Sequence, residues 1–447
     1  MIRRALPILV GVGLVLAMVW TARPAGSGLG WRLAFVGIYG LGFVLLLAYL
    51  RRAVVSTREL LIGAVLFRLV ALPMLPSLSD DGYRYLWDGV VAVEAGVSPY
   101  ALRPDAYELR AWQDGPLYER MNSRSYYTVY PPASQLVFRL AASVYSPWGW
   151  APSWWVLKML LVLAELGGVL LLARVVGATA TALYAWSPLA VIEIAGQGHT
   201  EALVVGGVAL VLAAGGARLP WRSLGATVAG LAKLYPLALL PATWRRDGWR
   251  GVLGSVVLSL GLGALVWAPG SLGHVRESLE LFFGTFDLYG GPYRVLKALA
   301  YPILGDAAGR TASLALGACF AGAIAAALAV DDGTDRGLRR VVLTVVIGFV
   351  LTAATFHPWY GLPSLLIMPL LQSKRWILWV IGWSAATYIG YEWSPAFEIA
   401  ILIGWGGGAL LLVRDWRRRA SAHGHGATVA STSSTVVEDA GRHDASS

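Results

Sequence analysis

Long apolar runs divided by short polar segments make up most of this chain. A helix needs about 20 residues to cross a bilayer core of about 30 Å. Runs of roughly that length occupy Ala5–Ala22, Leu33–Leu50, Glu59–Leu78, Trp154–Ala173 and Ala178–Ala195. Others follow at Glu201–Ala217, Gly251–Trp267, Thr311–Val330, Val341–Phe356, Trp376–Tyr391 and Ala396–Val413. Three shorter runs, Pro131–Tyr145, Ser223–Ala242 and Gly361–Leu371, read equally as short helices, re-entrant pieces or hairpins. The pattern predicts an all-α polytopic membrane protein with about 11–14 transmembrane helices.

Composition points the same way. Of 447 residues, 57% are hydrophobic and 14% charged, where a soluble domain carries about 25% charged residues. The 20 Trp and 19 Tyr suit aromatic belts at two membrane interfaces. A net charge of +10 raises nucleic acid as a partner, but the basic residues cluster between apolar runs, which is a mark of topology. The single cysteine, Cys319, excludes intramolecular disulfides and cysteine-ligated metals. No glycine-rich nucleotide loop follows a strand pattern, and no metal-ligand spacing occurs, so no cofactor is implied with certainty.

The clusters Arg3/Arg4, Arg51/Arg52/Arg58, Arg174, Arg218/Arg222 and Arg245/Arg246/Arg250 are expected to face the cytoplasm. So are Arg336/Arg339/Arg340, Lys374/Arg375 and Arg414–Arg419. They do so together if Pro131–Tyr145 does not cross and Ser223–Ala242 is an up-and-down hairpin. Both termini are then cytoplasmic. Arg3 and Arg4 resemble a signal-peptide start, but the second apolar run follows almost at once, which suits an uncleaved anchor. The expected units are an N-terminal pair (1–58), a catalytic membrane core (59–360, with an outer loop at 79–131) and C-terminal helices (361–419). Residues 420–447, rich in Ser, Thr, Gly and Ala, are expected to be a disordered tail.

With that topology the polar segments fall on the outer side. The first is Ser79-Asp80-Asp81-Gly82-Tyr83-Arg84-Tyr85-Leu86-Trp87-Asp88-Gly89. Adjacent carboxylates repel, which favours one as a general base for a hydroxyl. A solvated helix start with Asp80 as N-cap accounts for them equally well. Tyr83, Trp87 and Val91 recur at helical spacing and predict a helix lying along the membrane surface. Tyr130-Pro131-Pro132 closes this loop, as a site feature or as punctuation. Gly196-Gln197-Gly198-His199-Thr200-Glu201 gathers polar groups at a helix mouth, suiting a sugar, a phosphate or a simple cap. Lys233-Leu234-Tyr235-Pro236 places a lysine in an apolar hairpin, functional by default or snorkelling to an interface. Phe356-His357-Pro358-Trp359-Tyr360 offers an imidazole and sugar-stacking aromatics, or belt residues and a cap. Arg294 is a phosphate-fork candidate. Arg68, Lys158 and Glu165 read as interior pairing.

In their order and spacing, from about Leu60 to Tyr360, these motifs and Ser98-Pro99-Tyr100 resemble the integral-membrane glycosyltransferases of the GT-C superfamily. More narrowly they are similar to bacterial mannosyltransferases using polyprenyl-phosphate sugars. The resemblance implies inverting transfer of a hexose, mannose first, to a glycolipid or glycan acceptor at the outer face. It implies Asp81 as general base, through Asp81-Gly82-Tyr83-Arg84-Tyr85, with Asp80 the alternative. Lys233, His357 or Arg294, in that order, would stabilise the departing phosphate. His199 and Glu201 would contact the sugar, and Arg84, Tyr85, Tyr130, Tyr235, Trp359 and Tyr360 complete the substrate-binding set. A divalent cation at the aspartates is left open. His-Pro-Trp-Tyr stands where some such mannosyltransferases carry Trp-Asp-His-His, which leaves sugar and acceptor open. The competing classes are a transporter or lipid flippase without glycosyl transfer, and a ligase or polymerase of lipid-linked glycans.

Overall fold

The computed structural model describes residues 2–216, 219–285, 290–371, 376–407, 410 and 414. The tail at 420–447 and the clusters at Arg218, Lys374/Arg375 and Arg417–Arg419 lie outside them. The fold is all-helical, with no β-strand among the described residues. The elements that place the site are α1 (Ile2–Thr21), α2 (Leu29–Leu50), α3 (Thr57–Ala71), α4 (Asp81–Val93), α5 (Pro132–Ala142) and α6 (Trp150–Val176). They continue with α7 (Glu201–Ala213), α8 (Trp221–Ala232), α9 (Leu240–Val266), α10 (Ala307–Ala329), α11 (Asp335–Thr352) and α12 (Trp376–Gly390).

Four segments are long and apolar enough to cross a membrane alone: Leu29–Leu50, Trp150–Val176, Tyr235–Val266 and Ala307–Ala329. A fifth forms if Ala178–Ala185 and Pro188–Gly196, bent by 53°, count as one span. Ala5–Thr21, Glu201–Ala213 and Trp376–Gly390 are apolar but shorter. Helices stop short of the apolar runs where backbone chemistry ends them. The run from Glu59 is helical only to Ala71, because Pro73 and Pro76 supply no N–H. At its other end Ser56 and Glu59 form a reciprocal capping box. The run from Glu201 ends at Ala213, before Gly215 and a left-handed Gly216 (φ 68°).

The contacts sort the molecule into two ends. α6 and α7 run parallel, with Gly168 against Gly206, and α8 returns antiparallel, Gly207 against Gly225 and Ala229. Arg222 therefore lies at the same end as Arg174. There it pairs with Asp335 at 2.6 Å, and Arg246 pairs with Asp331 at 2.7 Å. Val55 N–H donates to Thr179 Oγ1 (2.9 Å) at this end, bringing Arg51, Arg52 and Arg58 near it. At the opposite end lie the Met74–Asp81 turn, the Gly196–Glu201 loop and Lys233. The Ser223–Ala242 segment does turn back: α8 ends at Ala232, and Ser223 N–H meets Asp247 Oδ2 at 2.8 Å across the return.

Buried charge is handled in the interior. Arg68 Nε and Nη2 each donate to Glu165 at 2.6 Å, and Tyr184 Oη adds a bond to Glu165 at 2.9 Å. Lys158 does not join this pair. It caps the carbonyls of Leu72 and Met74, the latter at 2.6 Å. One expectation is corrected: α4 is not a surface helix. Gly82 through Ala92 are all buried, because α5, α6 and the 94–131 loop cover the sides that a membrane-surface helix would show to water and lipid. Gly89 allows the closest approach, since a Cβ there would lie 2.2 Å from Phe138 O.

Candidate functional site

Five separated motifs meet at the end opposite the arginine pairs. α4 starts there because Ser79 Oγ accepts from Asp81 N–H at 3.2 Å. The preceding turn is held by Gln197, whose Oε1 accepts from the N–H groups of Ser77 (3.0 Å), Leu78 (2.9 Å) and Ser79 (3.3 Å). Gln197 thus ties the acidic loop to the His199 loop. Gly198 is needed between them: it sits at φ 71°, and a Cβ would be 2.8 Å from the Trp154 ring.

From Asp81 a line of polar groups runs inward. Tyr85 Oη lies 3.4 Å from Asp81 Oδ2 and 3.3 Å from His199 Nδ1. His199 Nε2 lies 3.1 Å from Glu193 Oε2, and Tyr388 donates to the other oxygen of Glu193. His199, Glu193 and Tyr388 are fully buried. The imidazole of His199 also stacks on Trp359 at 3.8 Å, and His357 stacks on the same ring at 4.4 Å. Two imidazoles at those distances cannot lie side by side on one face, so both faces of Trp359 are covered. A sugar would meet only its edge, which corrects the expectation of Trp359 as a stacking platform.

The second half of the cluster is cationic. Lys233 ends α8 and reaches Glu201 Oε1 at 3.0 Å, with its ammonium 4.9 Å from the Tyr360 ring centre. Burial lowers the Lys233 pKa, but the Glu201 carboxylate outweighs it, so the ammonium is held charged more firmly than usual. Tyr360 is pushed up to about 12 by burial, against the pull of Lys233. Tyr235 stacks on Phe349 at 4.0 Å, and Tyr130 meets the Tyr85 ring edge-on at 4.9 Å. Burial also pushes Tyr130 up, with Asp81 adding to it.

His357 is held down to about 3 by burial, with His199 and Lys233 adding to it. Burial therefore favours the neutral imidazole, whose Nδ1 lies 2.8 Å from Tyr391 Oη. Burial thus disfavours a charged His357 and leaves Lys233 as the cation held in the cluster. Arg294 stands apart: it pairs with Glu398 at 2.9 Å on an exposed face, and no described contact joins it to the cluster. Arg84 is committed to the loop. It donates to Asp88 (2.7 Å), Ser123 O (2.6 Å) and Tyr126 O (3.1 Å), while Asp88 also accepts from Thr128 and Gln135. Asp80 is exposed as a residue, but its carboxyl is partly shielded from water and accepts from Asn122 at 2.6 Å. Its carboxyl is pushed up to about 6 by desolvation and by Asp81, against the Asn122 hydrogen bond.

Several buried polar atoms in this region have no hydrogen-bond partner among the described residues: Glu201 Oε2, Thr200 Oγ1 and Tyr235 Oη. Such atoms cost about 1–3 kcal/mol each when left unpaired, so they suit the hydroxyls of a polar ligand. No group of three or more His, Cys, Asp or Glu able to hold a metal ion gathers among the described residues. Sequence reading missed Glu193, Tyr388 and Tyr391. Glu193 carried a signal, a carboxylate within the apolar run Ala178–Ala195. It also lies in a π-turn, Val191–Gly196, a feature frequent at functional sites. Neither tyrosine stood out among the aromatics.

No family profile, curated protein or solved structure matches the chain.

Proposed function

We propose that this protein is a membrane glycosyltransferase that moves a hexose from a polyprenyl-phosphate donor to a lipid or glycan acceptor. The observation that carries the reading is the convergence of Asp81, His199, Glu201 and Lys233 from three separated motifs at one end, opposite the arginine-rich end. By the positive-inside rule the arginine end is cytoplasmic, so the cluster faces outward. Both termini are then cytoplasmic, and a count of about 11–14 crossings requires further, less apolar helices to span beside the long and shorter apolar ones. The GT-C resemblance of the ordered motifs supports the same class.

In this reading Asp81 removes the proton of the acceptor hydroxyl. The hydroxyl oxygen bonds to the anomeric carbon as the bond to the polyprenyl phosphate breaks, inverting the centre. Lys233, fixed by Glu201, stabilises the charge that develops on the departing phosphate. Glu201 Oε2, Thr200 and Tyr235 offer partners to sugar hydroxyls. A lipid-borne donor requires no nucleotide-binding domain, since the bilayer concentrates and orients it. Mannose is the first donor to try, with the acceptor a membrane glycolipid.

The test supplies purified protein in lipid with radiolabelled polyprenyl-phosphate mannose and a membrane glycolipid extract. The expected result is a labelled glycolipid whose formation falls by about 10²–10⁴-fold in Asp81→Asn, the scale of a lost general base. Transfer from another polyprenyl-linked sugar would keep the mechanism and replace the donor. Undiminished transfer by both Asp81→Asn and Asp80→Asn would overturn the catalytic assignment. One observation favours a second reading, a transporter: the 53° break before the buried Glu193 matches the interrupted helices around transport sites. Lipid movement without any glycosyl transfer, unchanged in Asp81→Asn, would select it.

A further inference from the structure

The polar line from Asp81 continues past the reacting groups to Glu193, a buried carboxylate to which the proposed chemistry assigns nothing. Its Oε2 and the Nε2 of His199 face each other at 3.1 Å. Neither atom has another partner among the described residues, and their geometry falls short of a hydrogen bond. Two orphaned buried atoms at that separation resolve each other if the imidazole carries its hydrogen on Nε2 and turns slightly toward the carboxylate. The glutamate is held for this: Tyr388 donates to its Oε1, and the π-turn carries it inward. Trp359 holds the imidazole plane.

We propose that Glu193 is a positioning residue for the Asp81 base, acting through the tautomer of His199. This rests on the glycosyltransferase reading above. With the hydrogen on Nε2, Nδ1 is an acceptor and takes the one hydrogen of the Tyr85 hydroxyl at 3.3 Å. Tyr85 then has no hydrogen to give Asp81, whose Oδ2 is only slightly farther, at 3.4 Å. In the opposite tautomer Nδ1–H repels that hydrogen, Tyr85 turns it onto Asp81, and one lone pair of the base is blocked. A single phenolic hydrogen with nearly equidistant acceptors in Asp81 and His199, and with Tyr130 as a further hydrogen-bond partner of the Tyr85 hydroxyl, is thus steered by a carboxylate two groups away. The other charged or titratable groups facing this line include Asp80, beside Asp81, Lys233 and Glu201 from α8 and α7, Tyr130, Tyr360 and His357, and Tyr39 beside Glu193.

The test has one arm that needs no activity. Protein labelled with ¹⁵N-histidine is placed in lipid, and the His199 resonance is assigned by its loss in His199→Gln. The expected spectrum shows hydrogen on Nε2 in the unsubstituted protein and a shift of population to Nδ1–H in Glu193→Leu. Hydrogen on Nδ1 at the outset, or no change in Glu193→Leu, overturns the proposal. The second arm measures transfer. Glu193→Leu should lower kcat by about tenfold, well short of losing the base, with KM little changed. In a Tyr85→Phe background the same substitution should have no further effect on kcat, because the hydrogen being steered is gone. An undiminished further loss there would show that Glu193 acts through packing, and would also overturn the proposal. If the unsubstituted protein transfers no sugar, the glycosyltransferase reading fails while the NMR arm still judges the tautomer.

Discussion

Asp80 and Asp81 show how neighbours on the chain acquire different surroundings. Asp81 enters α4 and points toward Tyr85, while Asp80 stays in the turn with Asn122. The Asp80 carboxyl titrates near 6 in the folded protein against an ordinary 3.8. Between those values the folded protein keeps a proton that the unfolded chain has released. Its contribution to stability is therefore full below pH 3.8 and is lost as pH rises through about 6. The unfolding temperature in lipid or detergent should fall across that window, and Asp80→Asn should flatten the fall. Asn122→Ala removes a donor to the charged form and should move the window upward. An identical profile in Asp80→Asn would place the titration on another group. The paired acids themselves were legible in the sequence; their different hydrogen-bond partners were not, because one of them is Asn122, distant along the chain.

Elements decide how the motifs reach one another. The loop from Gly196 to Glu201 must pass between Trp154 and the acidic turn, and it does so through Gly198 in the left-handed region. Gly198→Ala should destabilise the protein by roughly 1–3 kcal/mol from backbone strain alone, with more from the contact against Trp154. Thermal unfolding in detergent would measure this. A variant as stable as the parent would mean that the loop takes another path. Apolar runs predicted where helices form, since burial and span length are written into hydrophobicity. They predicted helix ends less well, because prolines at 73 and 76 and glycines at 215 and 216 stop hydrogen bonding inside apolar sequence. The α4 prediction failed for a related reason: Tyr83, Trp87 and Val91 mark one apolar face, but Asp88 on the other side is buried too, neutralised by Arg84 and bonded to Thr128 and Gln135.

Across the whole molecule, the division into an arginine-paired end and an acid–histidine–lysine end is, on the proposed reading, what sets sidedness. Cysteines placed singly at Asp114 and Arg336, in a Cys319→Ser background, should label from opposite sides of the membrane with an impermeant thiol reagent. Labelling from the same side would remove the outward assignment of the cluster. The apolar pattern alone determined that this is a helical membrane chain, because residues that partition into lipid must satisfy their backbone locally and helices are how a single segment does so. It also singled out the Asp80/Asp81 pair, His199, Glu201, Lys233 and His357, since polar groups are costly enough in such a chain to be conspicuous, while Asp81 was preferred to Asp80 only through the family resemblance. What only the tertiary structure decided is which of these meet. The pairing of Glu201 with Lys233, the burial of His357, the pairing of Arg294 with Glu398 and the inward line to Glu193 and Tyr388 all depend on distances across helices. Side-chain charge and hydrogen bonding act over a few ångströms, and that proximity is created by packing between segments as much as 195 residues apart.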